Sequence, residues 1–369
     1  MSDSLELSGI VRELSHAFAV DFSPPHSPMS GASHDVWLIE NPANGETWSI
    51  RIAKNEFADT LSDRGTTILR YLKERRPKLQ VPRLLCQSKQ YSVFQYLGGE
   101  PIDYWDSNKL SDQKRHRLLD SLAVFLFEMW TCPVPRSACS VDYKRWLQSE
   151  VDLAIIRSLE GDPGWGDLIT FLHRRAAVDD VVPEGSFPRA AIKHGDLSAW
   201  NVLMDDKGIS GCCTEARCDR VIDWDTAQFV PMPAAIHHPL FIADIPGWQN
   251  AVPENMTFEK DRKYLQNAIA KIAGNSNHPD AQNVSRLISN CFERQFFELS
   301  LRSKLTNDHY IEARVKMSMV EKVVLQKQLG AFLAIYTGLR TNPTILVLQE
   351  RMRRTEGVSV PIMEGQNLS

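Results

Sequence analysis

The stretch that most restricts what this chain can fold into runs from Ile192 to Asp225: IKHGDLSAWNVLMDDKG, a cysteine-rich turn, then RVIDWD. Asp196 follows a His-Gly pair, Asn201 comes five residues later, and Asp223 closes an apolar strand carrying Val221 and Ile222. Met204 to Gly208 has the composition of a turn between two short strands, VLM and RVID. Such a hairpin sets Asn201 beside Asp223. Divalent cations take hard oxygen ligands, and a nucleoside triphosphate needs such cations against its clustered charge. Asn201 and Asp223 supply oxygens of that kind. Asp196, held apart from them, suits orienting a hydroxyl and accepting its proton. These residue types at this spacing point to phosphoryl transfer to an alcohol.

An H-x-D-x-x-x-x-N loop with a later metal-binding Asp is the kinase signature. HGDLSAWNVLMD followed by VIDWDTAQFVP resembles the aminoglycoside phosphotransferase/choline kinase family, small-molecule kinases with a protein-kinase-like fold. The run DLSxWN is similar to the fungal-type branch of that family. Gly195 stands where most protein kinases carry Arg, and IDWD where they carry D-F-G. The resemblance implies an α+β, two-lobed protein-kinase-like fold. Residues 1–97 would form a nucleotide-binding lobe with a small mixed β-sheet. Residues 98–355 would form a mainly helical lobe with the catalytic loop and acceptor pocket, and 356–369 a flexible tail. The implied reaction is Mg²⁺-dependent transfer of the γ-phosphoryl of ATP (or GTP) to a hydroxyl of a small acceptor. Asp196 would be base and orienter, with Asn201 and Asp223 holding Mg²⁺. His194 reads as a brace for the backbone around the metal-binding Asp, and Asp225 as support outside the ligand set.

Upstream, residues 5–18 carry apolar side chains at helical spacing. A Pro/Ser/Gly-rich loop leads to two alternating segments, 35–40 and 46–53, joined by NPANG as a hairpin. Ser30-Gly31-Ala32-Ser33 is either a plain loop or the turn whose amides, Ser33 included, cover the phosphates. Arg51, on the second strand, occupies the place where the family carries the cation for the α/β-phosphates; Lys54 is the lesser candidate. A fixed guanidinium can grip two phosphate oxygens at once. A helix is expected over 62–76. Its R-G-T-T-I-L-R-Y-L departs from the family pattern, because Gly65 stands where a Glu would pair with the strand cation. Asp63 lies roughly 200° around the helix from that position. Glu56 and Asp59, read as preceding the helix, are the other acids available. Segments within 81–97 complete the sheet, and Gln95-Tyr96-Leu97 resembles the hinge whose backbone at Gln95 and Leu97 would meet the purine edge.

Composition narrows the rest. A net charge of −4 argues against a nucleic-acid partner, since no basic excess is present to neutralise phosphates. The seven cysteines are irregularly spaced, and with no secretory h-region they suggest reduced thiols in the cytoplasm. Cys212, Cys213 and Cys218 lack the paired knuckle of a zinc site and read as a variable turn. The most apolar run, Gln328 to Leu339, has 12 residues, against the ~20 that cross a bilayer. No membrane association is expected. Helices are expected over 112–131, 143–160, 164–177, 258–273, 280–303, 308–338 and 343–354. His237-His238 fall in the segment expected to line the acceptor pocket. Glu293 and Glu298 do not share a helix face, and no dense acidic cluster suited to a polycation stands between 226 and 355. Two other uses of the fold stay open: a catalytically inactive binding protein, for which Gly65 is the best support, and a different group transfer such as acyl or aminoacyl. The absence of an A-P-E-like segment after IDWD disfavours a protein substrate.

Overall fold

The computed structural model describes residues 2–23, 27–103, 105, 110–161, 166–204, 220–248, 257–314 and 322–354. Cys212, Cys213, Cys218, the turn after Met204 and the 356–369 tail lie outside the described residues. The chain begins with α1 (Ser2–Phe18), β1 (Met29–Ser30), β2 (His34–Asn41), β3 (Glu46–Ala53) and α2 (Glu56–Arg75). It continues through β4 (Leu84–Gln87), β5 (Ser92–Gln95), β6 (Glu100–Pro101) and α3 (Asp112–Trp130). Next come α4 (Tyr143–Leu159), α5 (Leu168–Ala176), α6 (Val178–Val181), β7 (Ala190–Lys193), β8 (Val202–Met204), β9 (Arg220–Val221), β10 (Gln228–Pro231) and α7 (Met232–Ala235). Last are α8 (Glu259–Gly274), α9 (Ala281–Ser289), α10 (Phe292–Ser300), α11 (Lys304–Arg314), α12 (Lys322–Ile335) and α13 (Pro343–Arg354). An antiparallel sheet followed by a mainly helical remainder makes this an α+β protein.

Contacts gather the chain into two units, Met1–Ser140 with Pro188–Asp244 and Asn250–Ser289, and Val141–Phe187 with Ile245–Gln249 and Asn290–Ser369. The first unit holds both the N-terminal sheet and the whole described part of the 192–225 segment. Its five strands run β1-β2-β3-β5-β4, all antiparallel. The β2–β3 hairpin closes through Asn41, whose carbonyl accepts from Gly45 N at 2.8 Å and whose side chain accepts from Ala43 N at 3.0 Å. One sheet face buries Ile39, Trp48, Ile50 and Val93 against Leu7, Ile10, Val11 and Leu14 of α1. Each such side chain contributes about 1.5–3 kcal/mol by leaving water. The sheet is therefore anchored on this face by α1.

Helix α2 begins six residues before the expected Ser62. Asn55 explains this: its side-chain oxygen accepts from Ala58 N at 2.9 Å and caps the first turn. Glu56 and Asp59 consequently lie inside the helix rather than in a loop before it. Two further expectations change in the same way. The periodicity of 280–303 runs through a break at Asn290–Cys291 that separates α9 from α10, and the 308–338 stretch begins earlier, at Lys304, with α11 ending at Arg314.

The second unit buries Leu147, Phe171, Leu172, Phe296, Phe297 and Phe332. Arg174 is fully enclosed there, its guanidinium carbon 3.4 Å from the Tyr310 ring centroid and 3.8 Å from that of Phe297. Among the described residues no helix is long and apolar enough to cross a membrane.

Candidate active site

Strand β7, paired with β10, delivers the chain into His194-Gly195-Asp196. Gly195 has φ +88°, and a Cβ there would lie 2.5 Å from the Thr226 carbonyl oxygen. Left-handed backbone and that close approach together admit only glycine, which accounts for the missing Arg. His194 is buried; its Nε2–H donates to the Ile222 carbonyl at 2.9 Å and its Nδ1 accepts from Asp196 N at 3.4 Å. Burial pushes its pKa down to about 4, so the ring is neutral and these two partners set its tautomer. The imidazole thus ties the loop at Asp196 to the strand end before Asp223.

A single 3₁₀ turn, Ala199–Asn201, leads into β8. Asn201 Nδ2 donates to the Asp196 carbonyl at 2.8 Å and to its carboxylate at 3.1 Å. Strand β8 pairs with β9, Val202 opposite Val221, and Ile222 N donates to the Asn201 carbonyl at 2.9 Å. The next residue, Asp223, turns out of the strand at φ +60°, a region that Asp tolerates better than most side chains. Its side chain is 47% exposed. Asp196, Asn201 and Asp223 are therefore brought together by two short strands and one turn. Burial raises the Asp196 carboxyl above its ordinary value and the charge of Asp223 adds to that, while the Asn201 hydrogen bond opposes both.

Arg51 projects from β3 into the same region. Its Nη2 lies 2.6 Å from Asp225 and 3.5 Å from Asp223. The same nitrogen donates to Nδ1 of buried His34 at 3.2 Å. Burial first, and then the guanidinium charge, push His34 down to about 4. The ring is neutral, so its 3.3 Å approach to Asp225 is not an ion pair. Gly65 of α2 packs directly on the turn after Asp223: a Cβ there would fall 2.6 Å from the Trp224 carbonyl oxygen. Trp224 is itself locked in place, its indole donating to the Val221 carbonyl at 3.0 Å and meeting His194 edge-on.

Lys54 does not point to this cluster. Its ammonium donates to Ser30 Oγ at 2.7 Å and the Gly31 carbonyl at 2.6 Å, and it lies 3.4 Å from Asp35, pinning the Ser30–Ser33 turn. Gly31 N is spent on the His34 carbonyl, and the Ser33 carbonyl accepts from Lys54 N. At the expected hinge, Gln95 N donates to the Arg83 carbonyl, while the Leu97 and Gly98 carbonyls accept from Arg220 at 3.2 and 2.7 Å. His238 is buried and receives Gln266 Nε2 of α8 at 3.1 Å. Glu293 is paired with Arg314, and Glu298 accepts from Tyr143 at 3.0 Å. An open polar cleft lined by Asp59, Asp63, Arg70 and Gln87 contains none of the motif residues. The sequence reading left His34 and Arg220 out of the site altogether. Arg220 opens the RVID strand that the motif already contains, whereas nothing local marks His34.

The model of the phosphotransferase enzyme family matches residues 27–232, more than half of the chain. Among solved structures, the gentamicin–APH(2'')-IIa complex is 18% identical with a TM-score of 0.52, covering 88% of this chain and 95% of its own. The ADP-bound aminoglycoside phosphotransferase APH(2'')-Ib is 17% identical, TM-score 0.51, covering 88% and 96%. Choline kinase from Cryptosporidium parvum is 10% identical, TM-score 0.51, covering 90% and 93%. No curated protein matches the chain.

Proposed function

The chain belongs to the phosphotransferase enzyme family, and from that premise we propose that it is a small-molecule kinase moving the γ-phosphoryl of ATP (or GTP) to a hydroxyl of a small acceptor. The observation that carries this reading is the bridge from Asn201 Nδ2 to Asp196, with Asp223 set beside Asn201 by the Ile222–Asn201 hydrogen bond. Asp196 is held by Asn201 and, among the described residues, makes no ion pair, which suits a group that aligns the attacking hydroxyl and takes its proton. Its raised pKa suits a base that has to receive that proton.

The donor set fits a divalent cation. Asn201 turns its Nδ2 to Asp196, which leaves Oδ1 as a hard oxygen, and the Asp223 carboxylate is half exposed beside it. Among the described residues no three His, Cys, Asp or Glu side chains converge as a metal cage. Asn201 and Asp223 would therefore hold Mg²⁺ together with substrate oxygens, a common arrangement for this ion. Bound there, the ion supplies neutralisation of phosphate charge. Arg51 adds a fixed guanidinium for the α/β-phosphates, the Ser33 turn covers them, and the backbone at Gln95 and Leu97 borders the base. Catalysis on this reading is mostly positioning and electrostatics.

The ADP-bound structure supports a nucleotide donor, and the gentamicin complex and choline kinase support small-molecule acceptors. The test is ADP formation by the purified chain with ATP and Mg²⁺ against a panel of amino-alcohols, sugars and aminoglycosides. Acceptor-dependent ADP release supports the reading. Nucleotide binding with no turnover across the panel would favour the inactive binding protein instead.

A further inference from the structure

The family pairs its strand cation with a Glu on the following helix, and here Gly65 stands in that place. The close approach of Gly65 to the Trp224 carbonyl leaves no room for any side chain at this position. Asp63 is turned to Gln87, whose Nε2 donates to it at 2.6 Å. What the helix gives up, the turn it packs against supplies: Asp225, one residue beyond Trp224, meets Arg51 Nη2 at 2.6 Å with only 12% of its side chain exposed. His34 accepts from the same nitrogen at 3.2 Å and lies 3.3 Å from Asp225. Nη2 is thereby shared between Asp225 and His34, and among the described residues Nε and Nη1 of Arg51 make no hydrogen bond.

We propose that Asp225 is the positioning residue for Arg51, replacing the helix carboxylate, and that the backbone contact between Gly65 and Trp224 is what delivers it. The role rests on Arg51 being the phosphate cation of the proposed kinase. Asp225 holds one edge of the guanidinium so that the other faces the phosphates. It also keeps that guanidinium from closing the remaining gap to Asp223, 3.5 Å away, and covering the carboxylate needed for the cation.

Nucleotide affinity of the full chain tests this by titration with ATP, with Mg²⁺ and again with Mg²⁺ removed by chelator, on a double-mutant cycle of Asp225→Asn and Arg51→Ala. Asp225→Asn is expected to weaken Mg²⁺-free ATP binding by about tenfold when Arg51 is present and by less than about twofold when it is absent. Equal weakening in both backgrounds would make Asp225 a general structural residue and overturn the proposal. A loss seen only with Mg²⁺ would make it a metal ligand and overturn it as well. Should Asp225→Asn fail to fold, Gly65→Ala enters the same cycle. It forces the helix off the Trp224 carbonyl and is expected to weaken binding through Arg51 alone. Wild-type chain that binds no ATP under either condition would refute the kinase reading itself, whereas ATP binding indifferent to Asp225 would refute only this inference.

Discussion

Asn201 reaches Asp196 twice with one nitrogen, at 2.8 Å to its carbonyl and 3.1 Å to its carboxylate. The two residues are the first and last of a six-residue stretch, and the bond closes it into a ring whose interior is the backbone. Asn201→Ala removes that restraint and an oxygen from the proposed cation site together. We expect kcat for ADP formation to fall by about a hundredfold, with the fold intact by circular dichroism. A loss under threefold would contradict the arrangement.

Gly195→Ala tests whether the loop conformation is obligatory. A Cβ at φ +88°, 2.5 Å from the Thr226 carbonyl, has to be relieved by moving one of two packed turns. The expected cost is about 2–3 kcal/mol. Urea unfolding of the two proteins measures it, and an unchanged midpoint would contradict the geometry.

The two histidines that support the site predict acid sensitivity. His34 and His194 both titrate near about 4 in the folded protein, below their ordinary value. The unfolded chain therefore takes up these protons first. Their contribution is complete above pH ~6.5 and declines as the pH falls towards about 4, by about 1.4 kcal/mol per histidine per unit. Thermal melting at about pH 7.5 and about pH 5 should show a drop of several degrees. A melting temperature that is flat over this range would contradict the buried neutral rings.

The grouping of Asp196, Asn201 and Asp223 was legible in the sequence because local spacing and one hairpin bring them together. Arg51 was singled out by the resemblance, from its place on the second strand, and the β2–β3 hairpin by its turn composition. What stayed illegible was set by contacts between distant segments. Gly65 looked like a lost acid because the backbone it touches, at Trp224, is far along the chain. Asp225 was read as support outside the ligand set, and its contact with Arg51 went unseen for the same reason. Helix α2 was read six residues short because the Asn55 cap precedes an acidic, poorly periodic first turn. The α9–α10 break was missed because apolar spacing continues across Asn290 and Cys291.

Arg174 offers a stability test away from the site. It is a fully buried guanidinium between Phe297 and Tyr310, with Nε and Nη1 unpartnered among the described residues and a pKa pushed down to about 9 by burial. Its one hydrogen bond among the described residues, to the Phe297 carbonyl, offsets only part of the desolvation. Arg174→Met keeps the volume and removes the charge, so the melting temperature should rise by several degrees. A fall would mean that the ring contacts outweigh desolvation.

The central claim is that Asp196 handles the acceptor's proton while Asn201 and Asp223 face the nucleotide. Asp196→Asn separates these roles in one measurement, pairing steady-state turnover with ATP affinity in Mg²⁺. The account predicts turnover down by about a thousandfold or more with ATP affinity within about threefold of wild type. Turnover that survives the substitution would contradict it.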